Sequence, residues 1–206
     1  MLNMNGKELF LPEDAVAYRI HFTTMICSYG SVGWDEIEKY DCNRCNHTIQ
    51  INDFRAPRSS CIKKDGAVLD IFRYGVKEEI RNELIKRFDV SENDFRACRN
   101  KTGNIVYYQI TPQHTMLPIA NVNNWISLTP CRKCGSVQYR MKDKKSTLDG
   151  NDIMFISKAA LDYLHDLNCT YENFEMHIPE FIVSKRVYEF FSKNYRRLLF
   201  DPVFLK

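Results

Sequence analysis

The sequence has no run of apolar residues long enough to cross a membrane. None of its stretches approaches the 18 or more residues that a spanning helix needs. Its first ten residues, MLNMNGKELF, lack the basic and then apolar segments of a secretory leader, which points to a cytoplasmic protein. Glycine and proline are sparse, at 8 and 7 of 206 residues, and no low-complexity tract occurs, so a disordered or fibrous chain is excluded. A strong charge imbalance is also missing: 29 basic and 26 acidic side chains leave +3, too balanced to announce a nucleic-acid binder or an acidic mimic of one. Catalytic signatures are absent too, with no phosphate-binding loop, dinucleotide-binding glycine pattern, zinc-protease helix or nucleophile elbow.

The five histidines are dispersed. His114 stands out because the turn formers Thr111 and Pro112 precede it, yet a lone histidine is more often structural than catalytic. The acidic groups Asp35 to Glu38 and Ser91 to Phe95 read as solvated. No nucleophile–base pair can be assembled, so an enzyme is not expected.

What the chain does have is cysteine. Two Cys-x-x-Cys pairs, CNRCN from Cys42 and CRKCG from Cys131, are separated by 85 residues, and strand-forming segments flank both. Such a turn points two thiolates the same way, and two turns complete the tetrahedral set that zinc prefers. Gly135, and Asn46 in the first copy, tolerate the left-handed backbone that such a knuckle uses. Cys42, Cys45, Cys131 and Cys134 are therefore the expected ligands of one structural Zn²⁺, with no position left open for water. Zinc ribbons usually separate their halves by about 15–20 residues. The longer insertion remains feasible because loop closure costs grow only logarithmically with length. The scattered Cys27, Cys61, Cys98 and Cys169 read as small buried hydrophobes.

Strands are expected over Ala17 to Cys27, His47 to Ile51, Ala67 to Tyr74, Asn104 to Thr111, Trp125 to Thr129 and Ser136 to Met141. Val76, Ile80, Leu84 and Phe88 recur every fourth residue with acidic residues first and basic residues last, which predicts a helix over Val76 to Phe88. The segments FISKAALDYL and IVSKRVYEFF form a weak repeat 27 residues apart: apolar strand, serine cap, amphipathic helix. LLFDPVFL closes the chain as a strand whose Pro202 predicts an edge position or a bulge.

The paired knuckles, their wide spacing and the ending FIVSKRVYEFF…FDPVFL resemble the bacterial double-CxxCG family. Ile182-Val183, Ser184, Val187 to Phe191 and Pro202-Val203 carry the likeness in the ending, and Asn46 departs from the glycine of the first motif. The resemblance implies an immunity protein that binds and neutralises a cognate bacterial toxin.

The expected architecture is α+β in a single unit spanning residues 1–206. It comprises zinc-ribbon halves at about 36–51 and 125–141, an insertion at 52–124 and a C-terminal strand–helix part at 150–206. The expected function is non-enzymatic toxin neutralisation, with zinc as scaffold. The alternative is a zinc-ribbon nucleic-acid binder using Arg55, Arg58, Lys63 and Lys64, with Phe54, Tyr107 and Tyr108 as stacking rings.

Overall fold

The structure is a computed structural model that describes residues 12–21, 39–42, 47–50, 67–69, 74–99, 102–122, 125–133, 135, 137–141, 153–174, 179–194 and 199–206. Its architecture is mixed α+β, as composition and periodicity suggest. None of the described helices is long and apolar enough to cross a membrane.

The main sheet has five strands. In spatial order they are β10 (Met154–Ile156), β13 (Leu199–Leu205), β1 (Ala17–His21), β12 (Pro179–Ser184) and β11 (Leu167–Asn173). All neighbours are antiparallel except β10 and β13. Both faces are covered. Tyr18, Ile20, Phe181, Val183 and Phe204 point into one core; Ala17, Ile182, Met154, Ile156 and Val203 point into the other. Strict alternation along β1 and β12 thus feeds two separate apolar layers, as the period of two requires.

Helices α1 (Glu78–Arg87) and α3 (Lys185–Asn194) pack on the first face. Ile80 and Leu84 of α1 are buried, with Ile85 and Phe88 beside them, so the expected apolar stripe is present. Val76 belongs instead to β5 (Tyr74–Val76). An aromatic layer fills this side: Tyr188 stacks on Tyr18 at 3.6 Å, and Phe200 meets Tyr188 edge-on at 5.3 Å.

A second sheet joins the same core and runs β4 (Ala67–Leu69), β5, β7 (Ile105–Ile110) and β6 (Phe95–Arg99), all antiparallel. The single strand expected over Ala67 to Tyr74 is two: Ala67 pairs with Val76 and Leu69 with Tyr74. Pairing of Gly75 and Val76 with β7 holds the second arm, a tertiary contact that local pattern cannot reveal.

Two expectations about the ends of elements held and one failed. Ser157 Oγ accepts from the Ala160 amide at the start of α2 (Lys158–Asp162), and Ser184 Oγ accepts from the Val187 amide at the start of α3. The repeat is only local, however: Ala160 of α2 packs into the second core while α3 packs into the first. Pro202 does not mark an edge, because β13 lies between β10 and β1. Lys206 donates to the Ile156 carbonyl, so the even-numbered residues of β13 face β10. β10 begins opposite Val203, and the amide that Pro202 lacks would point beyond it.

A strap, residues 111–122, crosses the second face from edge to edge. At the β11 edge, Met116 donates to the Cys169 carbonyl at 3.0 Å and Cys169 donates to the His114 carbonyl at 2.9 Å. At the β10 edge, Ala120 donates to the Phe155 carbonyl. There Asn121 imitates a strand: its Nδ2 donates to the Ile153 carbonyl at 2.8 Å and its Oδ1 accepts from the Phe155 amide at 2.9 Å. Met116 and Ile119 are buried between these anchors.

Asn121→Ala is expected to strip the partly buried Ile153 carbonyl and Phe155 amide of partners and to cost about 2–3 kcal/mol, since each orphaned group costs roughly 1–3. Leu117→Ala, on an exposed part of the strap, is expected to stay within about 0.5 kcal/mol. Urea unfolding of both variants checks the difference.

Candidate functional site

The second knuckle is built on a two-stranded hairpin, β8 (Trp125–Ser127) with β9 (Tyr139–Met141). Leu128 extends the pairing by donating to the Gln138 carbonyl. The hairpin is anchored at its base: Trp125 is 5% exposed and meets Phe174 edge-on at 4.8 Å, with Tyr139 beside it. At the tip, Gly135 has φ +73° and its amide donates to the Cys131 carbonyl at 2.8 Å. That closed turn has the form that a thiolate pair needs. Cys131 is half-buried; Cys134 lies outside the described residues.

The first knuckle also joins two paired strands. Cys42 ends β2 (Lys39–Cys42) and is in register with His47, which opens β3 (His47–Gln50). Cys45 and Asn46 lie outside the described residues, as do Cys27 and Cys61. Among the described residues no three His, Cys, Asp or Glu side chains are grouped to hold a metal. Of the four expected thiolates only that of Cys131 falls within that set. The donor chemistry and the Gly135 turn both suit zinc.

Arg55, Arg58, Lys63, Lys64 and Phe54 also lie outside the described residues. Tyr108 is half-buried, and the Arg81 guanidinium sits 4.7 Å from its ring centroid. One face of that ring is therefore taken.

Sequence reasoning missed a polar cluster where three segments meet. Asp166, at the start of β11, has a side chain only 2% exposed. Its carboxylate accepts from the Asp89 amide at 2.7 Å, from Ser184 Oγ, and from Nε (2.8 Å) and Nη2 of Arg186. Burial pushes its pKa up, but the bonds from Arg186, Ser184 and Asp89, with the charge of Arg186, more than offset this and hold it below the usual value. One carboxylate thereby ties the end of α1 to β11 and to the first turn of α3. The partners lie up to 77 residues apart, so no local pattern announces them.

The cluster borders a cavity of about 470 Å³ whose lining includes Val16, Leu161, Leu164, His165 and Glu189. His165 adds a bond of its own, from Nδ1 to Asp89 Oδ2 at 2.7 Å.

The group Ser91 to Phe95 needs correction as well. Asp94 is 7% exposed, not solvated. Its carboxylate accepts from Ser91 and Gln113 amides at 2.8 Å each, and Ser91 Oγ accepts from Asn93, which makes a capping box. The Ser-x-x-Asp spacing is a sequence signal for this motif. Of the four cysteines read as buried hydrophobes, Cys169 is half-buried against the first core.

No protein-family model, curated protein or solved structure matches this chain.

Arg186→Ala is expected to cost about 2–3 kcal/mol, the range for losing charge-assisted bonds to a buried carboxylate. The guanidinium itself is largely exposed and loses little solvation, so the cost arises at Asp166. Because the Asp166 pKa is depressed, its contribution is present above the ordinary carboxylate pKa and lost as pH falls through the folded value. Thermal unfolding of wild type and variant at pH 7 and pH 3 should show the difference shrinking in acid.

Proposed function

We propose that this chain is a non-enzymatic immunity protein that binds and neutralises a cognate bacterial toxin. A structural zinc on Cys42, Cys45, Cys131 and Cys134 would join two knuckles as a split ribbon. The observation that carries the metal part is the Cys131–Gly135 turn: a left-handed glycine, its amide on the Cys131 carbonyl, at the tip of a hairpin held by Trp125. Pairing of Cys42 with His47 supports a matching role for the first hairpin. The immunity part rests on the resemblance in the knuckles and in the ending FIVSKRVYEFF…FDPVFL.

Neutralisation would work by occlusion. A contact of standard size buries about 800 Å² per partner, more than one loop can present, so a broad face of folded elements is needed. Four thiolates with one Zn²⁺ would add two negative charges to a chain of +3, which leaves no basis for a purely electrostatic clamp.

Elemental analysis of protein purified without added metal should find about one zinc per chain. Cys131→Ser should abolish stoichiometric zinc. Gly135→Ala should only weaken it: among the described residues no atom lies within 4 Å of the added Cβ, so the penalty is backbone strain of about 1–2 kcal/mol.

Co-expression with a toxin encoded beside the gene should restore growth stoichiometrically, and the complex should withstand moderate salt. Salt-sensitive binding to random DNA or RNA, with no binding to the toxin, would overturn the reading in favour of a nucleic-acid binder.

A further inference from the structure

The two histidines at the β11 end of the strap are placed against each other. The ring centroids of His114 and His165 are 4.0 Å apart with a 40° tilt. His114 is held on both sides in sequence: the Gln113 amide donates to Asp94 Oδ1, and the backbone of residues 114–116 bonds that of Cys169. His165 is fixed by its bond to Asp89. The His114 ring also lies close to the Tyr163 backbone. Its Nε2 is buried and has no hydrogen-bond partner among the described residues.

This geometry suits only a neutral His114. A charged ring carries a proton on both nitrogens, so the buried Nε2 would become a donor without an acceptor among the described residues, and the new charge would lie against a second imidazole. The groups that face His114 from other elements are His165 before β11, Asp89 after α1 and Asp94 before β6. Burial first, then His165, disfavours the charged ring; the Tyr163 backbone, Asp89 and Asp94 oppose them, and the net effect is a lowered pKa.

We propose that the His114–His165 contact is a pH-sensitive clasp, which releases the strap from the outer edge of β11 when the surroundings become mildly acidic. Release breaks the Met116–Cys169 and Cys169–His114 backbone bonds and lifts residues 114–116 from the sheet. The sign follows from linkage. A histidine whose folded pKa is depressed contributes stability above its unfolded pKa, about 6.5, and that contribution is lost as pH falls through the folded value.

The strap's next anchor responds in the opposite sense. Glu172 Oε1 accepts from the Ile119 amide at 3.0 Å while Oε2 is buried without a partner among the described residues. Burial raises its pKa. Ionising this carboxyl destabilises the fold as pH rises through its range, so acid favours the Ile119 anchor while it loosens Thr115. Opening is therefore local to the His114 end, and overall stability is the wrong readout. The clasp depends neither on zinc nor on a toxin.

The test uses the whole chain. In a ring-proton NMR titration, His114 should titrate below about 6.5. Amide exchange at Met116 and Cys169, corrected for its intrinsic pH dependence, should show opening that rises by up to about tenfold per pH unit below 6.5. Amides of β1 and β12 should show no such slope. His114→Phe keeps an aromatic ring against His165 but cannot titrate, and the slope at Met116 and Cys169 should vanish. A His114 midpoint at or above 6.5, an equal slope in β1 and β12, or an unchanged slope in the variant would each overturn the proposal. If the variant fails to fold, the wild-type titration and exchange decide alone.

Discussion

Strand β1 is paired on both sides, with β12 and β13, and its side chains alternate between two cores. A strand in that position cannot be satisfied by one covering layer. Each face needs its own, and backbone groups at the two sheet edges need partners that are not strands of the sheet. The helices α1 and α3 and the second sheet serve one face. The strap, α2 and the anchored hairpin serve the other. A buried charge is also paired across the sheet: Arg19, 6% exposed, bonds the partly exposed Asp201 directly across the β1–β13 ladder at 2.5 Å. The pair matches the register and would leave a buried charge if the register slipped, which sets β13 against β1.

Edge closure explains the strap. An open edge presents unpaired amides and carbonyls to any passing strand. Backbone bonds with Cys169 and a bridge from Gln138 to Asn173 occupy the β11 edge; Ala120 and the Asn121 amide occupy the β10 edge. One irregular segment crosses the sheet and reaches both. Irregular backbone has no regular ladder to pair its N–H and C=O groups, so its anchors come from side chains such as Asp94, Glu172 and Asn121. Asp166 does the same where α1, β11 and α3 meet.

Local physics was readable from the residues. The stripe of α1, the serine caps of α2 and α3, and the left-handed Gly135 each depend on neighbours within a few positions. The failures share another cause. β4 and β5 separate because β7 pairs with the second. Pro202 sits inside the sheet because β10 starts one residue later in register. His165, Asp166 and Arg186 form a cluster only after strands remote in sequence have met. Of the expected zinc ligands, Cys131 and Cys42 fall where hairpins bring strands to a turn, while Cys45 and Cys134 lie outside the described residues.

The segment that carries the family resemblance folds as β12, α3 and β13, so its apolar residues are fold determinants. Val187, Phe190, Phe191, Val203 and Phe204 are all buried, and β12 and β13 clasp β1 between them. Residues so placed cannot touch a partner without unfolding. Side chains so placed set the architecture, and under the proposed function contact with a toxin falls to the exposed ones. Anchors buried at protein interfaces start as exposed side chains in the free protein, Trp, Tyr and Arg above all. Tyr163 after α2, Tyr171 on β11 and the outward guanidinium of Arg186 meet that requirement on described elements. Arg186 is already fixed by Asp166, so a partner that used it would meet a side chain whose ordering has been completed by the fold.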